Sequence, residues 1–440
     1  MNEAISLPRW RFPPDYEARS AQALDIALGQ VAMYRDWRRL DPGPAYPADI
    51  RYAAMPALTK SDIRTHFPNV LPPGRDIAKA VANHEVELVQ TSGTTDDKIT
   101  NVWNQPWWDA SERESWKLNA HMTRAATGDH REAILVNPKN VGIASDDVDL
   151  PFEKRRLARF LYLNEKTDPL AWSNRILDRM VAELNSYQPA VFEGNPSYLA
   201  RFARYITANA KKVHRPGAVV FTYEYPTHFH QAQVRRAFDV PLVSSYGSTE
   251  VGYVFMQCEE GRFHQNTRFC RVDFQPFRPE HGGPLFGRIL VTPFDNPWNC
   301  LVRFDMGDLA RLEETGRCPC GRDSGIILAS MRGRTINLTL AQDGRLVTLG
   351  ELDDCLSRLE GVDEYRLAQV DPRTYELHIV SGRANEEALR GEAADLLIGL
   401  YGRGSKVSVI LEDDIGPEVS GKYMLARANF SIDIQRYLNA

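Results

Sequence analysis

The sequence lacks an excess of basic charge, a long apolar run and a dense set of cysteines. Its 440 residues carry 53 Lys and Arg against 58 Asp and Glu, a net charge of −5, so no global positive field favours binding to nucleic acid. The first residues lack the apolar core of a signal peptide, and no run of about 18 apolar residues could span a membrane. We therefore expect a cytoplasmic protein with no nucleic-acid partner and no membrane span.

Cysteine is too scarce for a disulfide scaffold, with six in 440 residues. Cys318 and Cys320 are separated by one residue, a spacing better suited to metal ligands. Glycine, proline and charged residues occur at ordinary globular levels, which disfavours collagen-like and disordered classes. A chain of this length divides into two or three domains of roughly 150 residues.

Strand-like and helical runs alternate along the middle of the chain. Runs such as REAILVNP, AVVFTYEY and VPLVSSYGSTE alternate with helical ones such as HFHQAQVRRAF, a pattern typical of βαβ units with a largely parallel sheet. Short strands after Gly252 predict a β-rich subdomain, and the last hundred residues predict a compact α+β lobe. The predicted fold class is α/β, with a large N-terminal domain over residues 1–334 and a small, mobile C-terminal domain over residues 335–440. Ligands of such sheets bind at the carboxyl ends of the strands.

A polar loop, Thr91-Ser92-Gly93-Thr94-Thr95, follows the strand-like run VELVQ. Its hydroxyls and backbone N–H groups could bind a phosphate, although an ordinary Ser/Thr turn has the same composition. The loop is not a Walker A motif, because GxxxxGK[ST] is absent.

Three further segments carry groups suited to nucleotide chemistry. The run from Ser244 to Glu250 offers an aromatic ring, a glycine, hydroxyls and a carboxylate, which suits a purine and a phosphate-bound Mg²⁺. The run from Arg303 to Asp308 ends in a carboxylate able to accept both hydroxyls of a ribose. Val419-Ser420-Gly421-Lys422 presents a lysine after a glycine turn. Taken singly, each is more consistent with a turn or a solvated surface residue.

The order of these motifs, TSGTT, YGSTE, GD and SGK, resembles that of the adenylate-forming superfamily of acyl-CoA ligases, luciferases and peptide-synthetase adenylation domains. Met55-Pro-Ala-Leu-Thr-Lys-Ser-Asp-Ile-Arg64 is similar to the LPxxTKxDLR segment of the phenylacetate-coenzyme A ligase family. Cys318-Pro-Cys320-Gly-Arg322 and the total length are also similar to that family. The resemblance covers residues from about 20 to 430, and it implies a large adenylation domain with a small mobile one.

The resemblance implies ATP, Mg²⁺ and coenzyme A as cofactors, and a role for each matching residue. Lys422 matches the lysine that reaches the acyl carboxylate and the α-phosphate, Thr249 a contact to the α-phosphate, and Glu250 the Mg²⁺ ligand. The remaining matches bind the nucleotide: Ser92, Gly93, Thr94 and Thr95 at the phosphates, Glu224 at the acidic position of a GAEP-like segment, Tyr246 beside adenine with Gly247 and Ser248 next to it in the chain, Asp308 at the ribose, and Arg334 before the small domain.

Three departures from the family pattern matter. Asp96 and Asp97 put two negative charges in the phosphate loop, where the family has a glycine and a basic residue. The hinge after Arg334 reads Thr-Ile-Asn instead of carrying acidic residues, and Val419 replaces a polar neighbour of SGK. These changes make ATP binding and the second half-reaction less assured.

A metal site is predicted from four residues, Cys258, His264, Cys318 and Cys320, which form C-x5-H and C-x-C halves. Three thiolates and one imidazole suit a closed, structural Zn²⁺ site, and some members of the resembled family carry zinc at matching positions. The alternative is that the four residues are unrelated.

The sequence predicts an AMP-forming acid–thiol ligase of the phenylacetate-CoA ligase type. It would convert a small carboxylic acid, with aryl acids favoured, to an acyl- or aryl-adenylate with release of pyrophosphate, and then to a coenzyme A thioester. Two alternatives stay open: delivery of the acyl group to a carrier-protein phosphopantetheine or an amine in specialised biosynthesis, and a catalytically silent, zinc-stabilised relative. The sequence leaves a homodimer open and does not name the acid.

Overall fold

The computed structural model describes residues 8–90 and 99–439. The helices in these ranges are α1 (Tyr16–Gln30), α2 (Ala48–Ala53), α3 (Lys60–His66), α4 (Ile77–Ala82), α5 (Gln105–Trp116), α6 (Ala120–Ala125), α7 (Phe152–Arg155), α8 (Asn174–Tyr187), α9 (Pro196–Ala208), α10 (His228–Phe238), α11 (Leu349–Leu356) and α12 (Glu386–Tyr401). Short 3-10 helices cover Ala32–Leu40, Pro138–Val141, Pro169–Ala171, Pro279–His281, Thr335–Asn337 and Ile434–Arg436.

The strands are β1 (Glu87–Gln90), β2 (Thr100–Trp103), β3 (Glu132–Leu135), β4 (Arg156–Leu157), β5 (Phe160–Tyr162), β6 (Val191–Gly194), β7 (Ala218–Phe221), β8 (Leu242–Ser248), β9 (Gly252–Gln257), β10 (Phe263–Gln265), β11 (Cys270–Pro276), β12 (Phe286–Pro293), β13 (Phe304–Leu312), β14 (Ile327–Arg334), β15 (Thr339–Leu340), β16 (Leu346–Val347), β17 (Val362–Asp371), β18 (Thr374–Ser381), β19 (Lys406–Glu412) and β20 (Ala426–Ala428). No helix in the described parts of the chain combines the length and the apolar character that crossing a membrane requires.

Residue contacts group the chain into two units. The first comprises the described residues up to Ala120, Ser245–Met331 and the residues from Tyr437 onward; the second comprises His121–Ser244 and Arg332–Arg436. Both units mix helices with sheet, so the predicted α/β class is confirmed. The proposed division between residues 334 and 335, and movement of the part that follows it, stay predictions.

The first unit is built on antiparallel strands. They lie in the order β11-β12-β13-β14-β10-β9, and the second half of β8 pairs with β9. All eight residues of β12 are buried, as expected for a strand covered on both faces. A core of buried side chains, including Tyr34, Tyr52, Phe255 and Ile289, packs on this sheet. This is the β-rich part that the sequence predicts after Gly252.

The second unit contains the predicted parallel sheet. The first half of β8 pairs in parallel with β7, and the order continues β6-β3-β5, with β4 as an antiparallel edge. Each residue of β3, β6 and β7 is buried, in keeping with a parallel sheet covered on both faces. Side chains cap the helices that follow: Ser173 caps α8, Asn195 caps α9 and Thr227 caps α10.

Residues 332–436 of the second unit form a separate four-stranded sheet with α11 and α12. Its order is β19-β18-β17-β20, with an antiparallel β17–β18 pair and parallel partners on either side. Helix α10 contacts this part through buried polar groups, since His230 Nε2 lies 2.9 Å from a Glu364 carboxylate oxygen. His228 Nε2 lies 2.9 Å from Asp354. The α+β composition agrees with the prediction for the last hundred residues.

Candidate functional site

The predicted phosphate-binding residues Ser92, Gly93, Thr94 and Thr95 lie outside the described residues. The strands on either side, β1 and β2, pair in antiparallel register. The run VELVQ therefore contains the strand that the sequence predicts, and the role of the loop stays a prediction.

In the first unit, the YGSTE segment begins in β8 and continues into the turn before β9. Tyr246 and Gly247 lie in β8, where a Cβ atom on Gly247 would stand 2.2 Å from the carbonyl oxygen of Gly252. Only glycine fits so close an approach of two backbones. The carbonyl oxygen of Thr249 accepts a hydrogen bond of 2.8 Å from the Asn101 side chain. The position of the segment is therefore fixed by its own unit.

Ser248 ends β8, and Glu250 follows it in the turn. Glu250 is 3% exposed, and Lys60 Nζ lies 4.0 Å from its carboxylate. Lys60 is the first residue of α3, and two residues earlier the Leu58 N–H donates to the carbonyl oxygen of Arg303, just before β13. The MPALTK segment therefore brings a cation to the predicted Mg²⁺ ligand.

Two aspartates of β13 have different surroundings. Asp305 accepts hydrogen bonds from Arg288 Nη1 at 2.7 Å and from the Gly307 N–H at 2.8 Å. Asp308, the predicted ribose ligand, is half-buried three residues further along the same strand. Asp305 thus has a structural role within the first unit, which separates it from the proposed role of Asp308.

In the second unit, polar residues follow the carboxyl ends of three neighbouring parallel strands. Asn137 follows β3, Asn195 follows β6 and Glu224 follows β7. Strands that run in parallel end at one edge of their sheet, which brings these side chains together. Asn195 is hydrogen-bonded to the Glu224 carboxylate.

The segment carrying Lys422 lies against this edge. Gly421 has a φ of +79°, and a Cβ atom there would stand 1.6 Å from Asn137 Nδ2. The Tyr423 N–H donates a 3.0 Å hydrogen bond to Glu224 Oε1. The Lys422 ammonium interacts electrostatically with the same carboxylate. Two predicted site residues, Glu224 and Lys422, are therefore neighbours within the second unit.

The Glu224 carboxyl group has an unusually high pKa. Loss of hydration raises its pKa from 4.5 to about 7, although the Lys422 charge and the hydrogen bonds from Asn195 and the Tyr423 N–H oppose the rise. A carboxyl group with this pKa changes charge near neutral pH, next to the lysine predicted to be catalytic.

Arg334 is the last residue of β14, and the short helix Thr335–Asn337 follows it. Asn337 Nδ2 donates a 2.8 Å hydrogen bond to the carbonyl oxygen of Ala426. Arg332 pairs with Asp354 at 3.0 Å. The non-acidic hinge sequence is thus anchored to residues of its own unit.

The four predicted metal ligands come together in the first unit. Cys258 follows β9, His264 lies in β10, and Cys318 and Cys320 lie between β13 and β14. Their candidate ligand atoms all lie within 4.8 Å of one another. The clustering favours the metal interpretation over four unrelated residues.

The dimensions of this Cys₃His cluster suit zinc. Bond lengths of about 2.3 Å to sulfur and about 2.05 Å to nitrogen in a tetrahedron give edges of about 3.8 Å for S···S and about 3.5 Å for S···N. Cys258 Sγ and Cys318 Sγ are 3.7 Å apart, and Cys320 Sγ and His264 Nε2 are 3.3 Å apart. Backbone N–H groups of Glu260 and Arg262 hydrogen-bond to the Cys258 sulfur. The donor set and its spacing therefore fit the ion.

Burial keeps the histidine of this cluster neutral. Loss of hydration lowers the pKa of His264 to about 4, so its ring carries no charge at neutral pH. A neutral imidazole is the form that coordinates a metal ion.

Three residues that the sequence reasoning gave no role contact the predicted ones: Lys60, Asn137 and Asn195. A signal was present for the two asparagines, because each follows a short apolar strand. Their common position depends on the strand order β7-β6-β3, which local sequence does not give.

No protein-family model matches the sequence, and a search of curated proteins finds no match. Solved structures do share the fold. A 2-hydroxyisobutyryl-CoA ligase in the postadenylation state in complex with 2-HIB-AMP is similar with a TM-score of 0.68 at 16% identity, over 98% of this chain and 94% of that chain. The same ligase with R3-HIB-AMP gives 0.67 at 16% identity, over 94% of this chain and 89% of that chain. The same ligase in complex with 2-HIB-AMP and CoA, in the thioesterification state, gives a TM-score of 0.55 at 17% identity, over 96% of this chain and 91% of that chain. The chain thus has the fold of adenylate-forming CoA ligases.

Proposed function

We propose that the protein is an AMP-forming acid–thiol ligase that acts on a small carboxylic acid, as the phenylacetate-CoA ligase resemblance implies. A carboxylate oxygen attacks the α-phosphorus of ATP, the bond from that phosphorus to the bridging oxygen breaks, and pyrophosphate leaves. The thiolate of coenzyme A then attacks the acyl carbon of the adenylate, the bond to the phosphate oxygen breaks, and AMP leaves. Aryl acids are the favoured substrate class.

One observation carries the proposal. Lys422 lies beside Glu224, and Glu224 follows the carboxyl end of the parallel strand β7. The edge of a parallel sheet formed by the carboxyl ends of its strands is where such sheets bind ligands. A lysine ammonium stabilises negative charge that develops on phosphoryl oxygens during transfer. The likeness of the fold to CoA ligases supports the same interpretation.

The nucleotide roles follow the sequence resemblance. Tyr246 is proposed to lie beside adenine, Gly247 and Ser248 to bind the nucleotide, Asp308 to bind the ribose hydroxyls and Thr249 to contact the α-phosphate. The proposal also assigns the phosphates to the loop Ser92–Thr95 and a nucleotide contact to Arg334.

Two metal ions belong to the proposal. Glu250 offers a buried carboxylate oxygen, a ligand type that suits Mg²⁺, which binds through one or two carboxylates and the phosphates of a substrate. The Cys₃His cluster is proposed to hold a structural Zn²⁺. Action in the cytoplasm stays part of the same proposal.

The decisive experiment measures pyrophosphate release with ATP and Mg²⁺ and a panel of acids: benzoate, phenylacetate, 2-hydroxyisobutyrate and acetate. Each acid is tested with and without coenzyme A. We expect release with at least one acid and faster turnover when coenzyme A is added. Lys422→Ala should lower the release by about a hundredfold or more, since the transition-state charge loses its cation.

The matched control is Lys406→Ala, which removes an exposed lysine of β19 in the same unit. It should leave the rate unchanged. Stimulation by a phosphopantetheine carrier or an amine in place of coenzyme A would favour the acceptor alternative. No release with any acid, together with no measurable ATP binding, would favour a catalytically silent relative.

A further inference from the structure

We propose that Glu224 is a positioning residue for Lys422, and that it holds the Glu418–Tyr423 loop at the edge of the parallel sheet through the Tyr423 amide. The inference rests on the proposed function of Lys422. It assigns to Glu224 a role in the chain's own catalytic loop, in place of the nucleotide contact that the resemblance implies.

The contacts fix the peptide unit that joins Lys422 to Tyr423. Its carbonyl oxygen accepts a 2.8 Å hydrogen bond from the Glu418 N–H, and its N–H donates to Glu224 Oε1 at 3.0 Å. The Lys422 N–H lies 3.4 Å from Ser420 Oγ. A peptide unit held at both ends sets the backbone direction from which the Lys422 side chain departs.

Only one of these contacts reaches outside the loop. The bonds from Glu418 and to Ser420 are local and would travel with the loop, whereas Glu224 follows β7 in a different part of the chain. Glu224 is in turn held by Asn195, which also caps α9. The hydrogen bond to the Tyr423 N–H therefore ties the loop to the sheet.

Side-chain packing and electrostatic attraction also hold the Glu418–Tyr423 loop against the edge of the sheet. Gly421 packs against Asn137 with no room for a side chain, and the Tyr423 ring meets the Tyr198 ring edge-on at 6.2 Å. The ionised Glu224 carboxylate attracts the Lys422 ammonium. A hydrogen bond to an ionised acceptor is stronger than one between neutral groups, so the bond from the Tyr423 N–H strengthens when Glu224 ionises.

The first test needs no substrate. Hydrogen exchange, followed by mass spectrometry on overlapping peptides that differ by the Tyr423 amide, isolates the exchange of this amide. Glu224→Met, which keeps the side-chain length but offers only a weak sulfur acceptor, and Glu224→Ala, which offers none, should both speed exchange by about tenfold or more. Glu224→Gln keeps an acceptor oxygen and should restore most of the protection. The control Glu418→Gln changes a carboxylate of the same loop and should leave the Tyr423 exchange unchanged.

The second test uses the acid that gives the highest pyrophosphate release in the panel. Glu224→Met should lower the maximal rate while the KM for ATP stays within about twofold, and Glu224→Gln should recover much of the rate. In a Lys422→Ala background Glu224→Met should add little further loss, because both changes remove one function.

The outcomes separate the two proposals. Unchanged exchange at Tyr423 in both Glu224→Met and Glu224→Ala would overturn the positioning role, even if the enzyme were active. A raised KM for ATP with an unchanged maximal rate would overturn it in favour of a nucleotide contact. Faster exchange in a protein that activates no acid would leave the link from Glu224 to Tyr423 standing, and the proposed function would fail.

Discussion

Asn137 occupies the space that a side chain at position 421 would need, with Nδ2 1.6 Å from the site of a Cβ atom on Gly421. Gly421 also has a φ of +79°, which favours glycine. We predict that Gly421→Ala displaces the Lys422 segment and lowers pyrophosphate release by about tenfold or more, because misplacement of a catalytic group by about 1 Å is costly.

Gly344 provides the matched control. Its φ of +81° is nearly the same, but apart from its own atoms and its two chain neighbours no described residue has an atom within 4 Å of the position that a Cβ atom would take. Gly344→Ala therefore carries the backbone strain without the clash and should keep the rate. Equal rates in the two variants would contradict the prediction, whereas Asn137→Ala should recover part of the activity of Gly421→Ala.

Local sequence was enough to predict the parallel strands β3, β6 and β7 of the second unit. The apolar runs of β3, β6 and β7 are short, fully buried and followed by polar residues, which is what a parallel sheet covered on both faces requires. Local sequence could not predict the hydrogen bond from the Tyr423 N–H to Glu224, because the two residues lie 199 positions apart in the chain. Strand β20 was also missed, since three residues at a sheet edge give no periodic signal.

The metal cluster and the proposed nucleotide site differ in how much of each could be predicted from the sequence. Cysteine and histidine are rare and have few alternative roles, so their spacing predicted a cluster that the fold then brings together. Glu250 and Asp308 are common residue types. Lys60, which lies beside Glu250, comes from a distant segment, and Arg288, which lies beside Asp305, comes from the neighbouring strand β12. Sequence therefore predicted the segments of the proposed nucleotide site but not the charges around them.

The Cys₃His cluster should bind zinc and stabilise the first unit. We predict about one equivalent of zinc in protein purified without chelators, and a loss of at least about 3 kcal/mol in unfolding free energy for Cys318→Ser, since structural zinc supplies roughly 10–16 kcal/mol in small peptides. Elemental analysis and urea denaturation measure the two quantities. Cys355→Ser is the control, because this thiol donates to the Leu396 carbonyl far along the chain from the cluster and a hydroxyl can do the same. Zinc well below one equivalent, or equal stability of the two variants, would refute the prediction.

Asp308 and Asp305 should respond differently to the same substitution. Asp308→Asn is expected to raise the KM for ATP by about tenfold or more through a lost charge-assisted hydrogen bond to the ribose. Asp305→Asn should instead lower the melting temperature, because Arg288 is buried and loses an ionised partner 2.7 Å away. Steady-state kinetics and thermal unfolding of both variants test the contrast. A normal KM for ATP in Asp308→Asn would remove the ribose assignment.

Glu224 should make stability depend on pH. Its pKa lies at about 7 in the folded chain and at 4.5 in the absence of burial, so between these values the folded state binds a proton that the unfolded state has released. The unfolding free energy therefore falls as the pH rises through this window. Glu224→Gln removes this pH dependence. Relative to the wild type, the unfolding free energy of the variant should rise by up to about 3 kcal/mol as the pH increases from about 4.5 to about 8.

Urea denaturation of both proteins across this pH range measures the difference. Burial also raises the pKa of Asp353 to about 6, and its contribution has the same sign, so the wild-type curve alone does not isolate Glu224. Subtracting the variant curve from the wild-type curve cancels Asp353 and every other group that the substitution leaves in place. A difference that stays constant with pH would mean that Glu224 ionises at its ordinary value, and the carboxylate would then face the Lys422 segment charged over the neutral part of the range.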